Sequence, residues 1–349
     1  MPTELEPVVQ PTGLSFGRTV ERALVHRTAV SEVFVTDVQQ LGESTVRSGA
    51  QLPLNHGYFS DHLARPALFD PLLLLEAGRQ AGIAGSHAHM GLRPGTAMIV
   101  DNFTLALDEP AALLIGRVPA ELRIDTEYSG KRSRTGRVRR GRVEQQFFID
   151  DTRVGEHAMD VLFVNQHEHE ILRHSQRGTP APYTSDYPDL APQGQVAAEA
   201  VGRANPLNVV LARPRVAGGV LHALVTPRFG NRSLFDHDYD HLPAAVLVEA
   251  ARQLALLAFG ESTGPAAVRE TQVVRLDASF GRFAELDTPV TASVRLPCGG
   301  PPSGTGRRDF AVGFSQAEEP IASVTITLLD SARLVQGPGG EPMSLPDTQ

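Results

Sequence analysis

Cysteine occurs once in these 349 residues, as Cys298, and lysine once, as Lys131. A single thiol excludes an internal disulfide and any zinc site built on cysteine pairs. Set in a Pro/Gly-rich loop, Cys298 reads as a bystander. The lone lysine beside 31 arginines points to coding bias in a GC-rich genome and carries no functional message. No stretch approaches the ~20 apolar residues that span a bilayer. Met1–Gly13 has neither the basic head nor the apolar core of a secretory signal, so the expected location is the cytoplasm. A Gly-rich phosphate loop, a Gly-x-Ser-x-Gly elbow and a dinucleotide fingerprint are all missing. A net charge of −8 argues against a general nucleic-acid binder. What is present, 41% apolar and 21% charged residues, is normal for a globular chain, and the length allows two domains.

The same phrase is written twice, Glu76-Ala-Gly-Arg79-Gln80 and Glu249-Ala-Ala-Arg252-Gln253, 173 residues apart (76 to 249). Leu72 to Leu75, Ala77, Ala81 and Ile83 surround the first copy; Val246 to Val248, Leu254, Leu256, Leu257 and Phe259 surround the second. A helix that is apolar all round belongs in a core. An ionised Glu or Arg there costs several kcal/mol unless paired and hydrogen-bonded. Positions i, i+3 and i+4 share one helix face, so each copy presents a single polar cluster. An ordinary intrahelical ion pair would explain one copy; two copies in two buried helices favour a site.

The order of elements also repeats. Val, Thr and Phe over Leu24–Asp37 predict strand, followed by a His/Gly/Pro loop, a helix from about Asp70 to Gly85 and strands at 97–107, 113–128, 143–150 and 157–165. The second half gives a strand at 219–229, a loop at 231–241, a helix at 243–259 and strands at 271–280, 289–296, 310–315 and 321–329. Residues 167–206 are polar, Pro-bearing and aperiodic, as a linker is. The expectation is an α+β tandem hotdog: domains at 14–166 and 207–333, each a curled antiparallel sheet around one long helix, and a disordered tail at 334–349.

Ahead of the first helix stands Asn55-His56-Gly57-Tyr58-Phe59-Ser60-Asp61-His62, with His62 fourteen residues before Glu76. This resembles the active-site stretch of hotdog 3-hydroxyacyl-carrier-protein dehydratases, although Ser60-Asp61 replaces Pro-Gly and Arg79 replaces a small neutral residue. With the doubled Glu-Ala-x-Arg-Gln and the opening Val25-His26-Arg27-Thr28, the chain more closely resembles the A-factor biosynthesis family over roughly residues 24–330. That resemblance implies an acyltransferase without cofactor. It would join a β-ketoacyl thioester, on acyl carrier protein (ACP) or coenzyme A (CoA), to the hydroxyl of dihydroxyacetone phosphate, making the precursor of a butenolide or γ-butyrolactone signal. The expected catalytic residues are Glu76, Glu249 and His62; Arg79, Arg252, Gln80, Gln253 and His56 are expected to hold substrate.

The residues suit that chemistry on their own terms. Burial raises a carboxyl pKa and a nearby Arg lowers it, so each Glu is a candidate base, and Arg is the natural partner of a phosphate. Backbone N–H groups at the first turn of each helix are candidate oxyanion donors. A site mixing Glu and Arg from both helices is expected. A dehydratase or thioesterase, and a non-catalytic acyl-binding regulator, remain alternatives. In the second half His237 or Asp238 falls near the position of His62. Asp236-His237-Asp238-Tyr239-Asp240-His241 has a metal-like composition, yet a polar loop explains it and no metal is expected. The run from Lys131 to Arg142 carries seven cations in twelve residues, either a solvated hairpin tip or a dock for acyl carrier protein. Monomer and homodimer are equally compatible with all of this.

Overall fold

The computed structural model describes residues 13–93, 95–132, 138–297, 306–331 and 334. Cys298, the tail 335–349 and the centre of the basic run at 133–137 lie outside them. Among the described residues, twelve strands form one antiparallel sheet. They are β1 (Val35–Gln40), β2 (Thr45–Leu52), β3 (Ala97–Leu107), β4 (Ala120–Arg132), β5 (Val138–Ile149) and β6 (Thr152–Val164), then β7 (Leu211–Ala217), β8 (Val220–Val225), β9 (Thr271–Phe280), β10 (Val290–Arg295), β11 (Arg307–Gln316) and β12 (Glu319–Asp330). Their spatial order is β1-β2-β4-β5-β6-β3-β9-β12-β11-β10-β8-β7. The second half reads as the first half reversed, so the seam between β3 and β9 is a pseudo-twofold. Asn102 pairs there with Ser279 and Ala106 with Arg275.

Each half has one long helix, α1 (Pro71–Ala88) and α3 (Ala244–Thr263), and a shorter α2 (Gln166–Arg177) lies between them in sequence. Pro71 occupies the first turn of α1, and Asp70 caps it by accepting from the Leu72 N–H. Both long helices are buried on almost every side. α1 lies close against its sheet because Gly78 and Gly82 face it. A Cβ at Gly78 would sit 2.6 Å from Gln145 Oε1 and 2.9 Å from Phe147 Cζ; one at Gly82 would sit 2.7 Å from Met159 Cε. Gly78→Val is therefore expected to destabilise the fold by about 1–3 kcal/mol through overpacking. Urea unfolding checks it, and an unchanged midpoint would contradict the close approach.

Four sequence expectations need correction. Of the run 24–37 only Val35–Asp37 is strand, the start of β1; before it come two short 3-10 turns, Arg22–Val25 and Val30–Glu32. Side chains hold that stretch out of the extended form: Asp236 takes the Thr28 and Ala29 N–H groups, and Glu76 takes Arg27. The strand expected from residue 113 starts only at Ala120, after a 3-10 turn at Pro110–Leu113 and the breakers Gly116 and Pro119. The expected strand 219–229 is one arm of a hairpin. Gly218 and Gly219, both at positive φ, make the tight turn from β7 into β8. Finally, the supposed linker is structured. α2 begins with a capping box of Asn165 and Glu168. Its Arg173 and Arg177 grip Glu285, fixing α2 to the second half.

Candidate active site

The four duplicated charges form two separate clusters, contrary to the expectation of one mixed site. In the second-half cluster, Glu249 is fully buried and accepts from Tyr58 Oη at 2.8 Å, Arg252 Nε at 2.9 Å, Arg203 Nε at 3.1 Å and Gln253 Nε2 at 2.6 Å. Arg203 Nη2 lies 2.9 Å from the same carboxylate, off hydrogen-bond alignment. Arg252 also donates to Asp70 Oδ1 at 2.7 Å, and the other Asp70 oxygen meets His62 Nε2 at 2.7 Å. Tyr58, His62 and Asp70 come from the first half, so the two halves are joined by a buried ionic network.

The first-half cluster is built the same way but closes less completely. Glu76 accepts from Arg27 Nη2 at 2.5 Å, from Arg79 Nε at 2.8 Å and from Gln80 Nε2 at 2.7 Å. Arg27 precedes the first strand as Arg203 precedes the seventh, 176 residues later (27 to 203). Gln80 further ties Phe34 N and Glu32 O, as Gln253 ties Val210 N and Asn208 O. The difference lies in what the opposite half contributes. At the position of Tyr58 the second half has Leu234, and Asp238, matching His62, turns away to Thr184 and Ser185. At the place of Asp70 it has Pro243, which has no side-chain cap to give. Among the described residues, the hydrogen bonds of Arg79 therefore go to Glu76 alone, and its side chain remains 33% exposed. Arg252 is 5% exposed.

Burial alone would raise the Glu76 carboxyl, but Arg27 and Arg79 override it and bring it down to about 2. Glu249 and Asp70 are pushed the same way against their burial, by Arg203 with Arg252 and by Arg252 with His62. Both glutamate carboxylates, candidate bases on sequence grounds, are held towards the charged form by their guanidinium partners. Because Glu76 has a folded pKa below its ordinary 4.5, its contribution to stability is full above that value and is lost as pH falls towards 2. The melting temperature should accordingly fall between pH 5 and pH 3. A flat profile across that range would contradict the assignment.

The other expected site residues are placed as follows. His62 binds Asp70 rather than Glu76 or Glu249, and burial lowers its pKa, leaving a neutral imidazole. His56 Nδ1 accepts from Tyr58 N and Phe59 N while Nε2 lies 3.4 Å from Glu32, so the ring builds its own loop instead of facing a guest. Gln80 and Gln253 are wholly enclosed, with their amide groups spent on Glu76 or Glu249 and on the entering strand. The Leu72 N–H, an expected oxyanion donor, is taken by Asp70. In the metal-like loop Asp236, Asp238 and Asp240 each have partners of their own, and no group of metal-ligating residues occurs among the described residues. Arg139, Arg140 and Arg142 of the basic run pair with Glu168, Asp101 and Glu144. Sequence reading assigned no role to Arg27, Arg203, Tyr58 or Asp70, although Arg27 and Tyr58 stand within the motifs quoted above. Only Asp70 had a local signal, an Asp directly before a helix-opening Pro.

Two hotdog halves with duplicated Glu/Arg clusters frame the comparison with known proteins. The model of the A-factor biosynthesis hotdog domain matches residues 9–165 and 187–330. The chain belongs to the A-factor biosynthesis family. Its curated relatives in that family include 2-oxo-3-(phosphooxy)propyl 3-oxoalkanoate synthases of Streptomyces. That of Streptomyces virginiae is 31% identical over 274 residues, covering 78% of this chain and 85% of the relative. Those of Streptomyces griseus and Streptomyces coelicolor are each 29% identical, over 81% and 84% of this chain and 84% and 89% of theirs. The two stretches matched by the family model fall on the two halves of the sheet, and no helix among the described residues is long and apolar enough to cross a membrane.

Proposed function

We propose that this protein transfers a 3-oxoacyl group from a thioester to the primary hydroxyl of dihydroxyacetone phosphate. The carrier is an acyl carrier protein or coenzyme A. The product is the ester that the relatives' name denotes, a 2-oxo-3-(phosphooxy)propyl 3-oxoalkanoate, which can close to a phosphorylated butenolide. The chemistry needs no cofactor: the alcohol oxygen attacks the thioester carbonyl, the C–S bond breaks, and the hydroxyl proton ends on the leaving thiol.

One observation carries the assignment of the site. Arg79 alone of the four arginines bound to Glu76 and Glu249 is substantially open to solvent, while its inner edge is held by Glu76. A guanidinium fixed on one edge and free on the other suits a phosphate, which it binds through paired charge-assisted hydrogen bonds. In this reading Glu76 orients the arginine and the Arg27–Glu76–Arg79 triad retains net positive charge. The Glu249 cluster, whose carboxylate is bound by Tyr58, Arg203, Arg252 and Gln253, braces the interface between the halves.

A second reading of the acyl site is favoured by the His62–Asp70 pair. Its neutral imidazole, anchored at Nε2, has Nδ1 left for a proton. That reading places the reaction beside Arg252 instead. Incubating the full chain with a 3-oxoacyl thioester and dihydroxyacetone phosphate tests the function directly. A phosphorylated ester or butenolide of the expected mass supports it; thiol release with only free acid, or only an enoyl product, overturns it.

A further inference from the structure

Next to the open arginine lies a pair of histidines that the chemistry above leaves unused. His26 Nε2 is 2.8 Å from His87 Nε2, and His87 Nδ1 is 3.0 Å from the carbonyl oxygen of Leu92. A carbonyl only accepts, so His87 Nδ1 carries a proton. In a neutral His87 the other nitrogen is then an acceptor. His26 Nε2 must therefore be the donor of the pair, which leaves a lone pair on His26 Nδ1. The Leu92 carbonyl thus sets the tautomer of both rings.

The backbone supports a placed ring. His26 ends the Arg22–Val25 turn in the left-handed region, φ 55° and ψ 46°, a conformation uncommon outside glycine and concentrated at functional sites. It directly precedes Arg27, which binds Glu76. The groups bearing on its ring are His87, Arg79 and His237, and burial together with these neighbours brings its pKa down to about 4. Asp236 lies close by but is occupied by the Thr28 and Ala29 N–H groups. His237, stacked on Tyr239 at 4.0 Å, is the other imidazole here, and its Nδ1 faces Asp236 at 3.9 Å.

Resting on Arg79 as the phosphate grip, we infer that His26 is the catalytic base that takes the proton of the substrate hydroxyl, and that His87 is its positioning residue. When Nδ1 of His26 accepts that proton, the Nε2 proton can pass to His87, whose Nδ1–H remains on the Leu92 carbonyl. The positive charge then moves away from Arg79. As the C–S bond breaks, the proton returns through His26 to the thiolate, and both rings regain their starting tautomers.

The test is the initial rate of ester formation by the full chain, with a 3-oxoacyl-CoA and dihydroxyacetone phosphate, over a pH range that spans the lowered His26 pKa of about 4 and extends to about pH 9. His26→Asn suits the comparison because Asn tolerates the left-handed backbone. It should lower kcat by roughly 10²–10⁴-fold, the usual contribution of a general base, with KM for the triose phosphate nearly unchanged. His87→Ala should displace the acid limb of the pH profile, and His87→Gln, whose amide oxygen can accept from His26, should restore part of it. Wild-type kcat in folded His26→Asn, or an unmoved profile in His87→Ala, overturns the relay while leaving the substrate reading intact. If the wild type forms no phosphorylated ester, the substrate reading itself fails. Should His26→Asn not fold, the two His87 variants decide.

Discussion

Arg252→Ala is expected to lose about 3–5 kcal/mol of stability, the cost of leaving a buried ion without its partner. Two carboxylates are affected at once. Glu249 gives up two of its hydrogen bonds, and Asp70 loses its 2.7 Å contact, keeping His62 and the Leu72 N–H. Arg203 and Tyr58 still reach Glu249, but among the described residues neither hydrogen-bonds to Asp70. Since Asp70 caps α1 and Arg252 belongs to α3, the loss falls on the contact between the halves. Equilibrium unfolding in urea measures it. A change below about 1 kcal/mol, the range of an exposed pair, would show that the network is not a brace. The charges share partners, so a second substitution within the cluster should not add to the first.

The matching change in the other half should behave in the opposite way. Arg79→Ala leaves Glu76 bound to Arg27 and Gln80 and removes a part-exposed side chain, so unfolding should shift little. Its effect is expected on the triose phosphate. Two charge-assisted hydrogen bonds at about 1.5 kcal/mol each amount to roughly 3 kcal/mol, or about a hundredfold rise in KM. Arg79→Lys keeps the charge but not the planar fork and should recover only part of the loss. Steady-state kinetics with varied dihydroxyacetone phosphate distinguish these outcomes. An unchanged KM in folded Arg79→Ala would move the phosphate away from this arginine.

The repeat was readable because helices preserve spacing. Glu76, Arg79 and Gln80 recur as Glu249, Arg252 and Gln253 with identical intervals, and that pattern is enough to imply two halves. The partners that complete each cluster were not readable. Arg27 and Arg203 stand 176 residues apart while the helices stand 173 apart, and only Val and Arg recur between Val25-His26-Arg27-Thr28 and Val201-Gly202-Arg203-Ala204. Arg203 also lies in a stretch whose polarity and prolines resemble a linker, yet the fold buries it to 1% exposure. The difference between the clusters depended on single exchanges, Tyr58 against Leu234 and Asp70 against Pro243. Their consequence follows only from which half each helix faces. The fourteen-residue interval from His62 to Glu76 is a separation along the chain; in the fold the imidazole meets the helix cap Asp70.

The account holds that one doubled motif has two employments, an open anion grip at Arg79 and a closed brace at Arg252. Calorimetric titration of the full chain with glycerol 3-phosphate, which has the phosphate but not the ketone, counts the grips directly. One site per chain, abolished by Arg79→Ala, is the expected result. Two sites per chain, or one that survives Arg79→Ala, would contradict it.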